Sequence, residues 1–284
     1  MTEPLAPTRR ALTIAGSDPS GGAGLQADIA VFTRLGTHPM AIPAALTVQN
    51  SIGVKAVKPL DAALMTEQLA ALFADMPPHA IKTGMLGDDA TVLAVARALP
   101  DTELPPLVID PLLHASSGPQ LLTDQGYDTL VTRLFSRALL ITPNRDEAER
   151  LWGRQVATPE DAARCAADLR DLGPRAVLLT GGHLEEKGTV VDTLADEGGI
   201  TTWRHPRHPG PTPHGTGCAL SAAITAHLAL GTPLRESVRR ALTYVITAIR
   251  TANSMGSGRP YLGDGTQNLL DDSPMEPDEV PHEH

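Results

Sequence analysis

In HGTGC (residues 214–218) two glycines flank a threonine, and a cysteine follows where a run of small apolar residues begins. Gly215, Thr216 and Gly217 leave main-chain N–H groups unblocked at the start of a helix. Such groups, with the helix dipole, form a site for an anion such as a phosphate. Cys218 falls in the first turn, where the dipole favours the thiolate. The alternative is a small buried hydrophobe behind a glycine loop.

Three further stretches could join that chemistry. In TPNRDE (142–147), Asn144 and Glu147 stand three apart and share a face of one helical turn. An amide and a carboxylate there suit a hydrated Mg²⁺; equally, Asn144 could cap a helix whose early acids, Asp146 and Glu147, suit its dipole. Asp110 ends an apolar run before Pro111, at a strand's carboxyl end, where a metal or phosphate-bound ion would sit. GSDPSGGAG (16–24) is glycine-rich but has no Lys-Ser/Thr after Gly24, so it is not a P-loop. Its spacing and the lack of an acidic residue on the next strand also argue against a dinucleotide fingerprint. It is read as a tight loop that lets backbone approach a small ligand. The irregular histidines of HPRHPGPTPH (205–214) do not match a zinc site.

Short apolar runs and helical patterns alternate along the chain. Strands are expected at 11–16, 40–48, 107–110, 138–142 and 176–180, and the short apolar run 80–86 lies between two helical patterns. Pro43 places the second near an edge. Helices are expected at 25–36, 61–75, 88–99, 124–136, 146–152, 159–173, 218–230 and 234–252. The runs 189–194 and 200–204, on either side of Asp196-Glu197-Gly198-Gly199, read as an antiparallel edge hairpin. The alternation implies a three-layer α/β/α domain with a mostly parallel sheet, spanning 11–263 after a short extension, 1–10. In such sheets ligands bind beyond the carboxyl ends of the strands, where the glycine-rich segments fall.

The composition narrows the function classes. The 284 residues are 42% hydrophobic but only 3% aromatic, so Ala, Leu, Val and Ile must build the core. The formal charge is −10, of which seven acidic residues lie from Asp264 onward with no Lys or Arg, leaving about −3 for the body. Without a basic stripe, nucleic acid is not an expected partner. No apolar run reaches membrane-spanning length, and the amino terminus shows no signal peptide. Two cysteines make no disulfide framework, which fits a reducing cytoplasm. The acidic tail, 264–284, is expected to be unstructured.

Taken together, ALTIAGSDPSGGAGLQAD, ALTVQNSIGV (45–54), KTGML (82–86), VIDP, TPNRDEAE, GGHL (181–184) and HGTGCALSAAI resemble the hydroxymethylpyrimidine/phosphomethylpyrimidine kinases of thiamine biosynthesis, within the ribokinase-like superfamily. The match runs from about residue 11 to 262. The resemblance implies ATP and Mg²⁺ as cofactors and a homodimer. It implies a pyrimidine site at Ala23, Asp28, Gln49, Met85 and Leu112, with Gln49 bonding the ring edge. It gives Cys218 the role of base beside the Gly215–Gly217 cradle, and places Asp110, Asn144 and Glu147 at metal and phosphate. Strands and helices near 176–245, with Thr180 and Gly182, would hold ATP. The family usually has lysine where Thr180 stands, and more often lysine or threonine at Ser116. No catalytic lysine is assigned to Lys82 or Lys187. A pyridoxal/pyridoxine kinase, or a weakly catalytic pyrimidine-binding regulator, is the alternative. A cysteine acyl-transfer enzyme lacks an oriented His–Asn/Asp set beside Cys218.

Overall fold

The structure, a computed structural model, describes residues 8–115, 120–181, 188–266 and 278–279. One ten-stranded sheet runs through it in the order β10-β9-β8-β7-β6-β5-β4-β1-β2-β3. The strands are β1 (Arg10–Ser17), β2 (His38–Gln49), β3 (Val54–Pro59), β4 (Ala80–Thr83), β5 (Leu107–Ile109), β6 (Leu140–Ile141), β7 (Ala176–Leu179), β8 (Thr189–Asp196), β9 (Gly199–Pro206) and β10 (Asp278–Glu279). β2, β1, β4, β5, β6 and β7 are mutually parallel. Antiparallel strands close both sides: β3 on β2, and β8, β9 and β10 beyond β7.

Among the described residues, eight α-helices cover the two faces: α1 (Gly24–Arg34), α2 (Ala62–Asp75), α3 (Asp89–Ala98), α4 (Asp124–Leu134), α5 (Arg145–Trp152), α6 (Pro159–Asp168), α7 (Thr216–Ala229) and α8 (Leu234–Arg250). Strand alternation divides the core between them. Leu12 and Ile14 of β1 join the cluster under α2, α3, α4, α5 and α6, whereas Ala11 joins that under α1, α7 and α8. The helix starts follow capping chemistry. Asp61, Asp88 and Thr123 each accept an N–H of the helix they open, and Thr158 forms a capping box ahead of Pro159.

Two expectations change. Pro43 does not mark an edge, because β2 lies between β1 and β3. Ala15 pairs with Pro43 and Gly16 with Ala45, so a register slip beside the proline absorbs its missing N–H. β3 went unread, because VKAVKP (54–59) is half charged or proline and carries only a weak strand pattern. The expected 189–204 hairpin forms as β8 and β9, but β10 pairs on its outer side. Apart from 264–266 and β10, the tail expected to be unstructured lies outside the described residues.

Candidate active site

The chain runs from β1 to β2 on one side and returns to β4 on the other, which makes a switch point at the carboxyl ends of β1 and β4. A cavity of about 990 Å³ opens there. Its wall includes Ala23, Gln49, Met85 and Leu112 at one end, and Asn144, Glu147 and Thr180 at the other. Asp110 and the whole 214–218 loop also line it.

Gly215 caps α7 in the left-handed conformation, with φ of 80°, and no side chain caps that helix end. A Cβ on Gly215 would strike the carbonyl of Gly22, so only glycine fits. Thr216 turns its hydroxyl back to the carbonyl of Pro213 at 3.0 Å, leaving the helix mouth open. A Cβ on Gly217 would meet nothing within 4 Å. The first intrahelical bond across this turn is Ala219 N–H to Gly215 C=O, so the N–H groups of 216–218 have no helical acceptor. The open helix mouth expected at this motif is present, with main-chain N–H groups free to meet an anion.

The 16–24 loop is organised by Asp18. One carboxylate oxygen accepts the N–H and O–H of Ser20; the other accepts N–H from Gly22 and Ala23 at 3.1 and 2.9 Å. Burial pushes Asp18 up, but hydrogen bonds from His214 and Ser20 prevail and hold it below the usual carboxylate range. The loop thus packs its backbone against the 214–218 loop.

Cys218 overturns one expectation. The helix mouth was read as favouring thiolate, yet the residue is only 8% exposed and its thiol is pushed up to about 12. Burial is the main cause; Lys82 pulls the other way, and Asp110 and Asp28 add to the rise. An N–H donated by Gly24 also favours the thiolate. Desolvation outweighs the dipole and the cation together.

Asp28 is not in the cavity wall. It is fully buried and accepts from Lys82 Nζ at 2.7 and 2.8 Å and from the Thr13 hydroxyl at 2.6 Å. Lys82, which does line the cavity, is itself fully buried. Burial opposes its charge, but Asp28, Cys218 and Asp110 hold its pKa above the ordinary lysine value. It is the charged cavity residue to which motif reading gave no role. A lysine inside the four-residue buried strand AIKT already required an anion nearby.

In TPNRDE the helix-cap reading is the one observed, and the same two residues face the cavity. Asn144 and Glu147 form a capping box at 2.9 and 3.0 Å, and both line the cavity. Burial, then the charge of Asp110, raises Glu147 to about 8; burial and Asp28 raise Asp110 to about 6 against the pull of Lys82. Ser221 of α7 donates to Asp110 at 3.2 Å, which ties that carboxylate to the cradle helix. Two buried carboxylates, one raised by the charge of the other, form a donor set that a hard divalent cation relieves. Thr180 stands opposite Asn144 across a parallel bridge. Ser116, Gly182 and Lys187 lie outside the described residues.

A three-layer sheet with an anion cradle, paired carboxylates and an apolar slot at its switch point defines a small-molecule phosphotransferase. The sequence profile of the phosphomethylpyrimidine kinase family matches residues 18–262, and the chain belongs to that family. It is 41% identical over 252 residues to the thiamine biosynthesis bifunctional protein ThiED of Geobacter sulfurreducens, covering 89% of this chain but only about half (51%) of that protein. It is 37% identical over 249 residues to the hydroxymethylpyrimidine/phosphomethylpyrimidine kinase of Bacillus subtilis, covering 88% of this chain and 92% of that one. A solved structure of pyridoxal kinase from Staphylococcus aureus in complex with AMP-PCP superposes with a TM-score of 0.87 at 28% identity, over 97% of this chain and all of that one. Among the described residues, no helix is long and apolar enough to cross a membrane.

Proposed function

We propose that this chain transfers the γ-phosphoryl group of ATP to the hydroxymethyl oxygen of 4-amino-5-hydroxymethyl-2-methylpyrimidine, and then a second phosphoryl group to that monophosphate. The observation that carries the reading is the shared cavity. An apolar slot walled by Ala23, Met85 and Leu112, with the amide of Gln49, opens onto the same space as the 215–218 cradle. Its volume of about 990 Å³ is at the upper end for ligand pockets, as two ligands side by side require.

Phosphoryl transfer asks mainly for positioning and charge stabilisation. The N–H groups of 216–218 are aimed at the transferring phosphate. Lys82 adds a buried cation beneath Cys218. Asp110, Glu147 and Asn144 would hold Mg²⁺, which supplies neutralisation of phosphate charge. We assign to Cys218, which lines the cavity beside the cradle, the taking of the hydroxyl proton. In the free site it is a neutral thiol, so it becomes a base only when the charges opposing its ionisation are offset. Neutralising Asp110 removes one of them. Thr180 leaves the nucleotide end without the cation that the family places there.

Incubating the protein with MgATP and the pyrimidine alcohol, and weighing the products by mass spectrometry, tests the reading. One and then two phosphates should be added. Pyridoxal kinase chemistry is the second reading, favoured by the close superposition on that enzyme; phosphorylation of pyridoxal alone would replace the first reading with it. We place the enzyme in the cytoplasm and assign a homodimer. Leu46, Val48 and Ile52, on and between β2 and β3, are 50%, 56% and 68% exposed, an apolar surface that a second copy would cover. Light scattering at one chain's mass would remove that assignment.

A further inference from the structure

His214 precedes the cradle and has no part in the chemistry just described, yet one of its ring nitrogens faces two partners. Nε2 lies 3.3 Å from Asp18 Oδ2 and 2.7 Å from the side-chain nitrogen of Gln49. The ring is fixed from behind: its backbone N–H donates to Pro260, and Tyr261 packs edge-on at 6.2 Å between centroids.

The proton positions follow from chemistry. Asp18, ionised, offers acceptors only, so its contact requires a proton on His214 Nε2. An amide NH₂ at 2.7 Å from that same N–H would set two donors against each other. The other end of the amide points to the same answer. Thr47 Oγ1 lies 3.3 Å from the Gln49 oxygen, but its single proton goes to the Ser17 carbonyl at 2.9 Å. Thr47 can only accept there. Both contacts are satisfied when the amide is turned over, its oxygen sharing the one His214 Nε2 proton with Asp18 in a three-centre bond and its NH₂ donating to Thr47.

We propose that His214, held by Asp18, locks Gln49 so that the second N–H of its amide faces the cavity, making this position a donor that selects rings with an unprotonated nitrogen at that edge. His214 is then a positioning residue for substrate choice. The proposal rests on the substrate reading given above. It adds the sense of the hydrogen bond and the residue that fixes it.

The test compares binding of the pyrimidine alcohol with that of an analogue carrying C–H in place of one ring nitrogen, each ring nitrogen being replaced in turn, by calorimetry without nucleotide. Wild type should prefer the parent over one of these analogues by about tenfold, the worth of one such bond plus an unpaired donor. His214→Phe keeps the packing on Tyr261 but frees the amide. Its preference should fall to within about twofold while ADP affinity holds. His214→Gln, which restores a donor, should recover part of it. Equal loss for all the rings, with weakened ADP binding, would make His214 a loop strut and overturn the proposal. Long-range ¹H–¹⁵N correlation on the unliganded protein reads the tautomer directly. A proton on Nε2 is expected, and a bare Nε2 overturns the proposal whatever the substrate. Failure of wild type to bind any of these rings, with Nε2 protonated, tells against the substrate reading alone.

Discussion

The two glycines of the cradle should fail in opposite ways when replaced by alanine. Gly217 lies in the first turn of α7, and its Cβ would stand in open space. Alanine is the better helix former there by up to about 1 kcal/mol, so Gly217→Ala should melt about 2–4 °C higher, or no lower, than wild type. The added methyl, however, occupies the space above N–H groups meant for a phosphate. Losing one charge-assisted hydrogen bond costs about 1.5–3 kcal/mol, which is roughly 10–100-fold in nucleotide affinity. Gly215 is different. Its φ of 80° is left-handed, and a Cβ would strike the Gly22 carbonyl. Strain of about 1–2 kcal/mol and overpacking of about 1–3 kcal/mol should lower the melting temperature of Gly215→Ala by roughly 4–15 °C. Thermal melts with ATP and ADP titrations read both variants. Normal nucleotide affinity in a stable Gly217→Ala would refute the cradle.

Cys218→Ala should keep its fold and lose about 10²–10⁴ in kcat, measured by coupled ADP release; equal turnover would remove the base. Thr180→Lys should lower the KM for ATP by about tenfold, because it restores a cation beside the nucleotide; no change in the kinetics of either phosphorylation would show that the charge is supplied elsewhere. Glu147 is raised from 4.5 to about 8, so the folded protein binds the extra proton and loses stability as pH rises through that window. Glu147→Gln, which keeps the cap acceptor, should flatten the fall between about pH 5 and 8 in a pH series of thermal melts, and an unchanged slope would contradict the burial argument. Lys82→Met leaves Asp28 as an uncompensated buried charge and should cost about 3–5 kcal/mol in denaturant melts, with Asp28→Asn in the same chain recovering part of it.

Most of the fold was legible because local and long-range signals agree. Thr158-Pro159 states where α6 begins, and Gly173, left-handed at φ 115°, closes the 3-10 turn at 169–172 into which the expected 159–173 helix tightens after Asp168. β3 was hidden because its partner decides it. VKAVKP becomes a strand only by pairing with β2, whose own pattern Pro43 had weakened. The loop before α7 was legible for a related reason: glycine at 215 is dictated by a backbone conformation, while a Cβ at 217 would meet nothing within the protein. The ionisation of Cys218 was not legible. The motif displays the dipole and the free N–H groups, while burial of the thiol depends on the 16–24 loop closing over it, from two hundred residues away in sequence.

The charges beneath the cavity form one system, and its sign explains the thiol. Asp28, Lys82, Asp110 and Cys218 shift one another's ionisation, and Glu147 couples to Asp110. Lys82 is the only cation in that set, and Asp28 holds it in a two-oxygen contact. What remains is an excess of acid, so the unliganded site keeps its protons: Glu147 is raised to about 8 and the thiol to about 12. The same excess suits the site to a cationic ligand, whose binding would relieve the repulsion between Asp110 and Glu147 and offset a charge that opposes thiolate. On the proposed mechanism a cysteine suits position 218 where a carboxylate would not. It can stay neutral while the site is short of positive charge and ionise when charge arrives, whereas a further aspartate at 218 would add to the repulsion from the outset. If Cys218 is the base proposed above, its ionisation is switched by the ligands of the site. Alkylation of Cys218 by iodoacetamide at pH 7.5 should therefore be slow in the free protein and faster with Mg²⁺ alone. A free-protein rate equal to that of an ordinary exposed thiol would break the chain of reasoning at its first link.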